Sequence, residues 1–160
     1  MANPKPAGGE AHQPVIRNRK ASHDYHIEDT LEAGLVLTGT EIKSIRAGKV
    51  TLPGGFVVLD GNEVWLRDVY VAPYDQGSFS NVDPLRRRKL LLNRREINRL
   101  AGRTREAGWT LVPLAIYFKH GKAKLEVGLA RGKRSYDKRE TIRQRDAERD
   151  KDRALAARDR

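Results

Sequence analysis

The chain has 160 residues, enough for one domain with extensions, and it carries 32 Lys or Arg against 21 Asp or Glu. Its net charge of +11 concentrates polyanions, which favours nucleic acid or an anionic membrane as the partner. A membrane is the weaker alternative, because no apolar run approaches the roughly 20 residues that span a bilayer. The absence of cysteine excludes disulfides and thiolate metal sites, and the first residues lack a signal-peptide pattern, so we expect a cytoplasmic protein.

The composition predicts three parts. Residues 1–14 are rich in Ala, Gly and Pro and predict a disordered N-terminal lead, whereas residues 15–130 carry the apolar patterns of a folded body. Residues 131–160 form a basic C-terminal tail with twelve Lys or Arg, seven Asp or Glu and few large apolar side chains. Burial in the tail cannot offset an ordering cost of roughly 1–2 kcal/mol per residue, so we expect it to order only beside an anionic partner.

Two β-hairpins are predicted in the body. The first surrounds the turn Asp60-Gly61-Asn62, and its Trp65 is expected to face the core. The second follows the strand-like run Leu111–Phe118 and turns at His120-Gly121. Pro113 in this run predicts a sheet edge or a bulge. The strand after the second turn alternates, with inward positions at Ala123, Leu125, Val127 and Leu129.

Helices interrupt the β pattern. Thr40 is predicted to cap a short helix, and Asn93 a longer one in which Glu96 completes a capping box. Asp137 is predicted to cap a conditional helix over residues 138 to about 157. The fold class predicted from these elements is mainly β with helices: an OB-like antiparallel β-barrel with two or three short helices and a disordered or conditionally helical C-terminal tail.

The densest basic run within the body is Arg86-Arg87-Arg88-Lys89, followed closely by Arg94-Arg95. We predict that it contacts phosphate. Each phosphate neutralised should steepen the salt dependence of binding by about 0.7–0.9 log units per log unit of salt, whereas a merely solvated run would leave no such slope. Lys43 and Arg46, in the short predicted helix, would extend the same surface.

Several blocks, taken in order, resemble the SsrA-binding protein (small protein B) family, the partners of transfer-messenger RNA in bacterial trans-translation. The resemblance runs from about Asn18 to Arg139. Its blocks are Arg19-Lys-Ala-Ser-His-Asp-Tyr25, Glu32-Ala-Gly-Leu35, Gly39-Thr-Glu-Ile-Lys-Ser-Ile-Arg-Ala-Gly-Lys49, Asn81-Val-Asp-Pro84, Arg88-Lys-Leu-Leu-Leu-Asn93 and Gly132-Lys-Arg-Ser-Tyr-Asp-Lys-Arg139.

The resemblance implies an RNA-binding protein that is not an enzyme and needs no cofactor or metal. It would bind the tRNA-like domain of transfer-messenger RNA and help deliver it to stalled ribosomes, where trans-translation rescues the ribosome and tags the nascent peptide. The body would replace the missing anticodon arm, and the tail would enter the empty messenger channel. The implied partners also include the small ribosomal subunit with its RNA, and elongation factor Tu acting alongside. We expect a monomer.

Four residues fall on RNA-contact positions implied by the resemblance: Glu32, Leu91, Asn93 and Lys124. Each also has a structural explanation. Asn93 could simply cap its helix, Leu91 could pack in the core, and an exposed lysine such as Lys124 is often only solvated. Because a carboxylate repels phosphate, Glu32 would have to accept a hydrogen bond from a base amino group or a ribose 2′-hydroxyl, or orient a neighbouring cation.

The resemblance further implies that Tyr136, Asp137, Lys138 and Arg139 reach the ribosomal decoding centre. Tyr136 would stack on a ribosomal base, and the other three would act by charge or hydrogen bonds. Many family members have His where this chain has Tyr136, so stacking is retained but imidazole chemistry is not. The structural alternative for this run is a solvated linker.

Three other classes compete with this interpretation. A ribosomal or initiation-type OB-fold protein would share the barrel and the charge without a role in rescue. An RNA-processing enzyme could use His23, Asp24 and His26, but the sequence has no Walker-type loop, nucleophile elbow or cysteine. A basic membrane-surface protein is the third alternative, and flotation with liposomes would test it.

Overall fold

A computed structural model describes residues 15–75, 81–133 and 135–158 of the chain. The predicted N-terminal lead, residues 1–14, lies outside the described residues. The strands are β1 (Ile16–Arg17), β2 (Tyr25–Leu35), β3 (Val50–Thr51), β4 (Phe56–Asp60), β5 (Glu63–Arg67), β6 (Tyr70–Val71), β7 (Arg88–Leu91), β8 (Trp109–Lys119) and β9 (Lys122–Gly132). The helices are α1 (Arg19–Asp24), α2 (Gly39–Arg46), α3 (Arg94–Thr104) and α4 (Ser135–Arg158).

The main sheet closes on itself. Its strand order is β1-β8-β4-β5-β7-β2-β9, and β8 also pairs with β9, so the strands from β8 to β9 form a ring with β1 attached outside it. All these pairings are antiparallel, and β3 with β6 forms a separate small sheet. The predicted fold class, an antiparallel β-barrel with short helices, is therefore confirmed.

The core fills the interior of this ring because side chains alternate along each strand. Leu125, Val127 and Leu129 of β9 point inward and are buried, and Ala123 packs partly buried against the same core, as the sequence predicted. Residues at the intervening positions face outward. This alternation decides which side chains of β2, β7 and β9 can reach a partner.

Both predicted hairpins are present. His120 and Gly121, between β8 and β9, both have positive φ, of 51° and 74°, which matches the primed turns that join strands of right-handed twist. The register of β8 against β9 shifts between Pro113 and Ala115, so the bulge predicted from Pro113 is confirmed.

The helix starts were predicted with mixed success. Asn93 caps α3 and forms the predicted capping box with Glu96. The cap of α2 is Thr38, not Thr40 as predicted, because only Thr38 stands three residues before a glutamate, Glu41, that can reach back to its backbone N–H. A helix is present in the tail, but α4 begins at Ser135, so Asp137 lies within the helix and does not precede it.

The junction of body and tail is defined by backbone contacts. Strand β9 continues to Gly132, two residues beyond the predicted boundary at residue 130. The backbone N–H of Lys133 then donates to the Asp24 carbonyl at 2.9 Å, which ties the end of β9 to α1. All α4 side chains that the structure describes are exposed, including Ile142 and Leu155.

Candidate nucleic-acid interface

Three neighbouring strands bring together most of the residues that the resemblance implied. Leu91 of β7 and Lys124 of β9 are both in register with Gly34 of β2, so the three lie in one row across the sheet. Glu32 lies two residues before Gly34 and therefore points to the same outer side. We call Leu91, Gly34, Glu32 and Lys124, with the adjoining Asn93, the outer face.

Leu91 is the apolar element of the outer face. Its side chain is 56% exposed, whereas Leu90 beside it is buried at 2%. A Cβ placed on Gly34 would lie 3.1 Å from the Leu91 Cβ, so the glycine lets the leucine lie close over β2. An exposed leucine over a glycine offers a flat apolar surface against which a base or ribose can pack.

Glu32 is held by two neighbours that the sequence did not point to. Tyr117 of β8 donates its hydroxyl proton to Glu32 Oε2, and Lys119 Nζ lies 3.8 Å from Oε1. Burial and the Glu32 hydrogen bond raise the pKa of Tyr117 far above its ordinary value, so this phenol stays protonated. Glu32 thus lies within ion-pair distance of one cation, Lys119, and both side chains are partly exposed.

Lys124 is the cationic residue of the outer face. Among the described residues, no carboxylate lies within ion-pair distance of its amine. An ammonium group without an acidic partner, in the same row as the apolar Leu91, suits a phosphate flanking a packed sugar or base.

Asn93 performs its structural role and keeps hydrogen-bonding capacity. Its Oδ1 accepts from the Glu96 backbone N–H at 2.9 Å, and its own backbone N–H donates to Glu96 Oε2 at 3.0 Å. The side chain is exposed, and the side-chain amide N–H groups remain as donors. Arg94 and Arg95 follow it and are exposed as well.

The predicted basic run is not a uniform patch. Arg87 Nη1 lies 3.9 Å from Asp60 Oδ2, and Lys89 Nζ lies 3.4 Å from Glu63 Oε1. Both side chains are exposed enough to exchange these weak partners for phosphate.

Arg88 corrects the prediction that the whole run contacts phosphate. Its side chain is 1% exposed; Nε donates to Glu41 Oε2 at 2.5 Å and Nη1 to the Val69 carbonyl at 2.8 Å. A buried guanidinium with these partners is a structural cross-link between α2 and β7, and it presents no charge to a partner.

Glu41, the partner of Arg88, is buried between two arginines. Arg86 also donates to Glu41, and the Thr38 backbone N–H donates to Oε1 at 3.0 Å. Burial alone would raise the pKa of Glu41, but the hydrogen bonds from Arg86, Thr38 and Arg88 outweigh it and lower the pKa below its ordinary value. The carboxylate thus stays charged and holds both guanidinium groups.

Lys43 and Arg46 lie on the exposed side of α2, and each faces an aromatic ring. Lys43 Nζ is 5.1 Å from the ring centre of Tyr74, and the Arg46 guanidinium is 5.2 Å from that of Phe118. With these contacts both charges remain at the surface. They lie on α2, outside the row formed by Leu91, Gly34 and Lys124.

Trp65 lies outside the ring, contrary to the prediction. It is in register with Lys89, whose side chain points outward, and the Arg87 guanidinium stacks over its ring at 4.1 Å. Alternation explains the difference, because the buried neighbours Val64 and Leu66 occupy the inward positions of β5.

The residues predicted to reach the decoding centre lie in the first turns of α4. For Tyr136, Asp137 and Lys138 the structure describes the backbone only, which is helical, and Arg139 is exposed. Their proposed contacts stay predictions.

Two other features bear on the alternatives. His23 Nδ1 lies 2.8 Å from Asp24 Oδ1, and within the described ranges no cluster of His, Cys, Asp or Glu has the spacing of a metal site. No helix in the described part of the chain is long and apolar enough to cross a bilayer.

The sequence missed Tyr117 and Glu41 for different reasons. Glu41 carries a recognisable signal, because Thr38 and Glu41 have the spacing of a capping box. Tyr117 carries none, since its contact with Glu32 depends on the relative register of three strands.

A closed antiparallel sheet with an outer face of apolar, cationic and hydrogen-bonding side chains defines the chain as a small β-barrel protein of the nucleic-acid-binding kind. Residues 15–157 match the family model described as SmpB protein, so the chain belongs to that family. The SsrA-binding protein of Acidothermus cellulolyticus is 58% identical over 144 residues, which is 90% of this chain and 91% of the relative. That of Chloroflexus aggregans is 61% identical over 145 residues, covering 90% and 92%.

A solved structure is similar as well. It is described as "tmRNA-SmpB: a journey to the center of the bacterial ribosome" and aligns with a TM-score of 0.66 and 52% identity. The alignment covers 81% of this chain and 95% of the other.

Proposed function

We propose that this protein binds the tRNA-like domain of transfer-messenger RNA through its outer face and helps deliver that RNA to stalled ribosomes for trans-translation. The observation that carries the proposal is the row formed by Leu91, Gly34 and Lys124, with Glu32 and Asn93 beside it. Residues far apart in sequence meet there in a combination that suits a folded RNA. Family membership and relatives that are named for binding SsrA support the choice of RNA.

The interface acts by shape and hydrogen bonding as well as by charge. Lys124, with Arg94 and Arg95, attracts phosphate; Leu91 packs against sugar or base; and Asn93 donates hydrogen bonds. Binding occurs without catalysis, cofactor or metal, in the cytoplasm and as a monomer, with elongation factor Tu acting on the same RNA.

In this proposal the barrel and the tail have separate tasks. The barrel, residues 15–130 with the last residues of β9, takes the place of the anticodon arm that transfer-messenger RNA lacks. The tail, residues 131–160, enters the empty messenger channel with Tyr136, Asp137, Lys138 and Arg139 at the decoding centre. The net charge of the tail, twelve basic against seven acidic side chains, favours a channel lined by phosphate.

Reversal of charge at Lys124 tests the RNA interface. We expect Lys124→Glu to weaken binding of the tRNA-like RNA about tenfold or more and to lower the salt slope by about 0.7–0.9 or more, because at least one phosphate contact is lost. Fluorescence anisotropy over a series of salt concentrations measures both quantities, and circular dichroism verifies the fold.

Lys20→Glu is the matched control. Lys20 lies on α1 and is exposed, and α1 contacts the end of β9 opposite to Lys124. The same change of net charge there should cost much less affinity. Equal affinity of the Lys124 variant and the parent protein would remove Lys124 from the interface.

A further inference from the structure

Glu32 occupies a position that is unfavourable for the barrel alone. It is directly opposite Glu126 in the antiparallel pairing of β2 with β9, and like charges directly opposite each other destabilise a sheet. A carboxylate is also a poor choice on a face that must attract phosphate. The two costs indicate that Glu32 has a task that another residue could not perform.

Two neighbours contact the Glu32 carboxylate, one at each oxygen. The Tyr117 hydroxyl on β8 donates to the Glu32 carboxylate on β2. Strand β9 lies between β8 and β2, and its Lys124 is in register with Tyr117. The phenol is a permanent donor, because burial and the carboxylates of Glu32 and Glu126 raise its pKa far above the ordinary value. Lys119 lies 3.8 Å from Oε1, too far to saturate that oxygen.

We propose that Tyr117 is a positioning residue of the RNA interface, whose hydroxyl fixes Glu32 Oε2 so that Oε1 accepts a hydrogen bond from a ribose 2′-hydroxyl or a base amino group. The inference rests on the proposed function. An acceptor held in place beside Lys119 discriminates among RNA surfaces, because it binds a hydrogen-bond donor favourably and repels a phosphate at the same point.

A double-mutant cycle separates positioning from a structural role. Tyr117→Phe keeps the ring and removes only the hydroxyl, and we expect it to weaken binding of the tRNA-like RNA about three- to tenfold, the range for loss of one hydrogen-bonded group. In a Glu32→Ala background the same change should have no further effect, because the group that the hydroxyl positions is absent. Tyr70→Phe, which removes an exposed hydroxyl from the separate β3–β6 sheet, should bind like the parent.

The outcomes distinguish the two proposals. If the parent protein itself fails to bind the RNA, the proposed function is wrong. If the parent binds but Tyr117→Phe binds equally well, Tyr117 does not position the carboxylate. Equal losses in the parent and in the Glu32→Ala background would mean that the hydroxyl acts through general stability, which would also overturn the inference.

Discussion

Glu41 is the residue on which the local structure behind the outer face depends most. Its side chain is 3% exposed and that of Arg88 1%, so neither charge can be solvated by water if the other is lost. Removing one partner of such a pair leaves a buried, uncompensated charge. The pair joins α2 to β7, the strand that carries Leu91.

We expect Glu41→Gln to lower the free energy of unfolding by about 3 kcal/mol or more, because the amide cannot neutralise Arg86 and Arg88. Urea denaturation measures the change. Glu63→Gln is the control, since Glu63 is half-exposed beside Lys89 and its pair should contribute about 1 kcal/mol or less. A loss for Glu41→Gln no larger than that for Glu63→Gln would contradict this account.

The same carboxylate predicts a pH dependence. The folded pKa of Glu41 is depressed, so its stabilisation is fully present above the ordinary value of 4.5 and is lost as the pH falls through the folded pKa. Unfolding of the parent protein should therefore become easier below pH 4.5. In Glu41→Gln this contribution should be missing, which denaturation curves at a series of acidic pH values would reveal.

Residue-scale prediction from sequence failed where the partner was remote. Arg88 resembles its neighbours in the basic run, and nothing local marks it as buried; its partner Glu41 is 47 residues away. Asn93 was predictable because the cap and Glu96 lie within one turn of helix.

At the scale of elements, Asn93 caps the start of α3 and also lies on the outer face. Asn93→Ala should cost about 1 kcal/mol of stability through loss of the cap, whereas Asn93→Ser should retain most of it, because serine caps well. If the amide also contacts RNA, both variants should lose RNA affinity equally. Thermal unfolding together with RNA titration separates the two roles, and affinity that follows stability would leave Asn93 as a cap only.

The sequence predicted the hairpins and α3 better than the assembly of the strands. Turn residues such as His120-Gly121 and the alternation of β9 are local patterns, so they could be recognised. The row of Leu91, Gly34 and Lys124 depends on the register of β2 against both β7 and β9, which no local pattern specifies. The resemblance to a family, and not periodicity, first grouped these residues.

At the scale of the whole molecule, a well-packed barrel continues into a helix with almost nothing to bury. The described α4 side chains are exposed, and pairs such as Asp146 with Arg149 contribute only about 0.2–0.5 kcal/mol each to an isolated helix. We therefore predict that α4 is marginal in the free protein and becomes more helical on the ribosome. Hydrogen exchange of tail amides, free and ribosome-bound, measures this; equal protection in both states would contradict it.

The central claim is the division of labour between barrel and tail, and a truncation after Lys133 tests it most directly. This end point keeps the contacts of Lys133 with the Asp24 and Ser22 carbonyls, so the end of β9 remains tied to α1. The measurement compares RNA affinity with peptide tagging on stalled ribosomes for the full chain and the truncated one. The account predicts unchanged affinity for the tRNA-like RNA and no tagging; a large loss of affinity, or normal tagging, would contradict it.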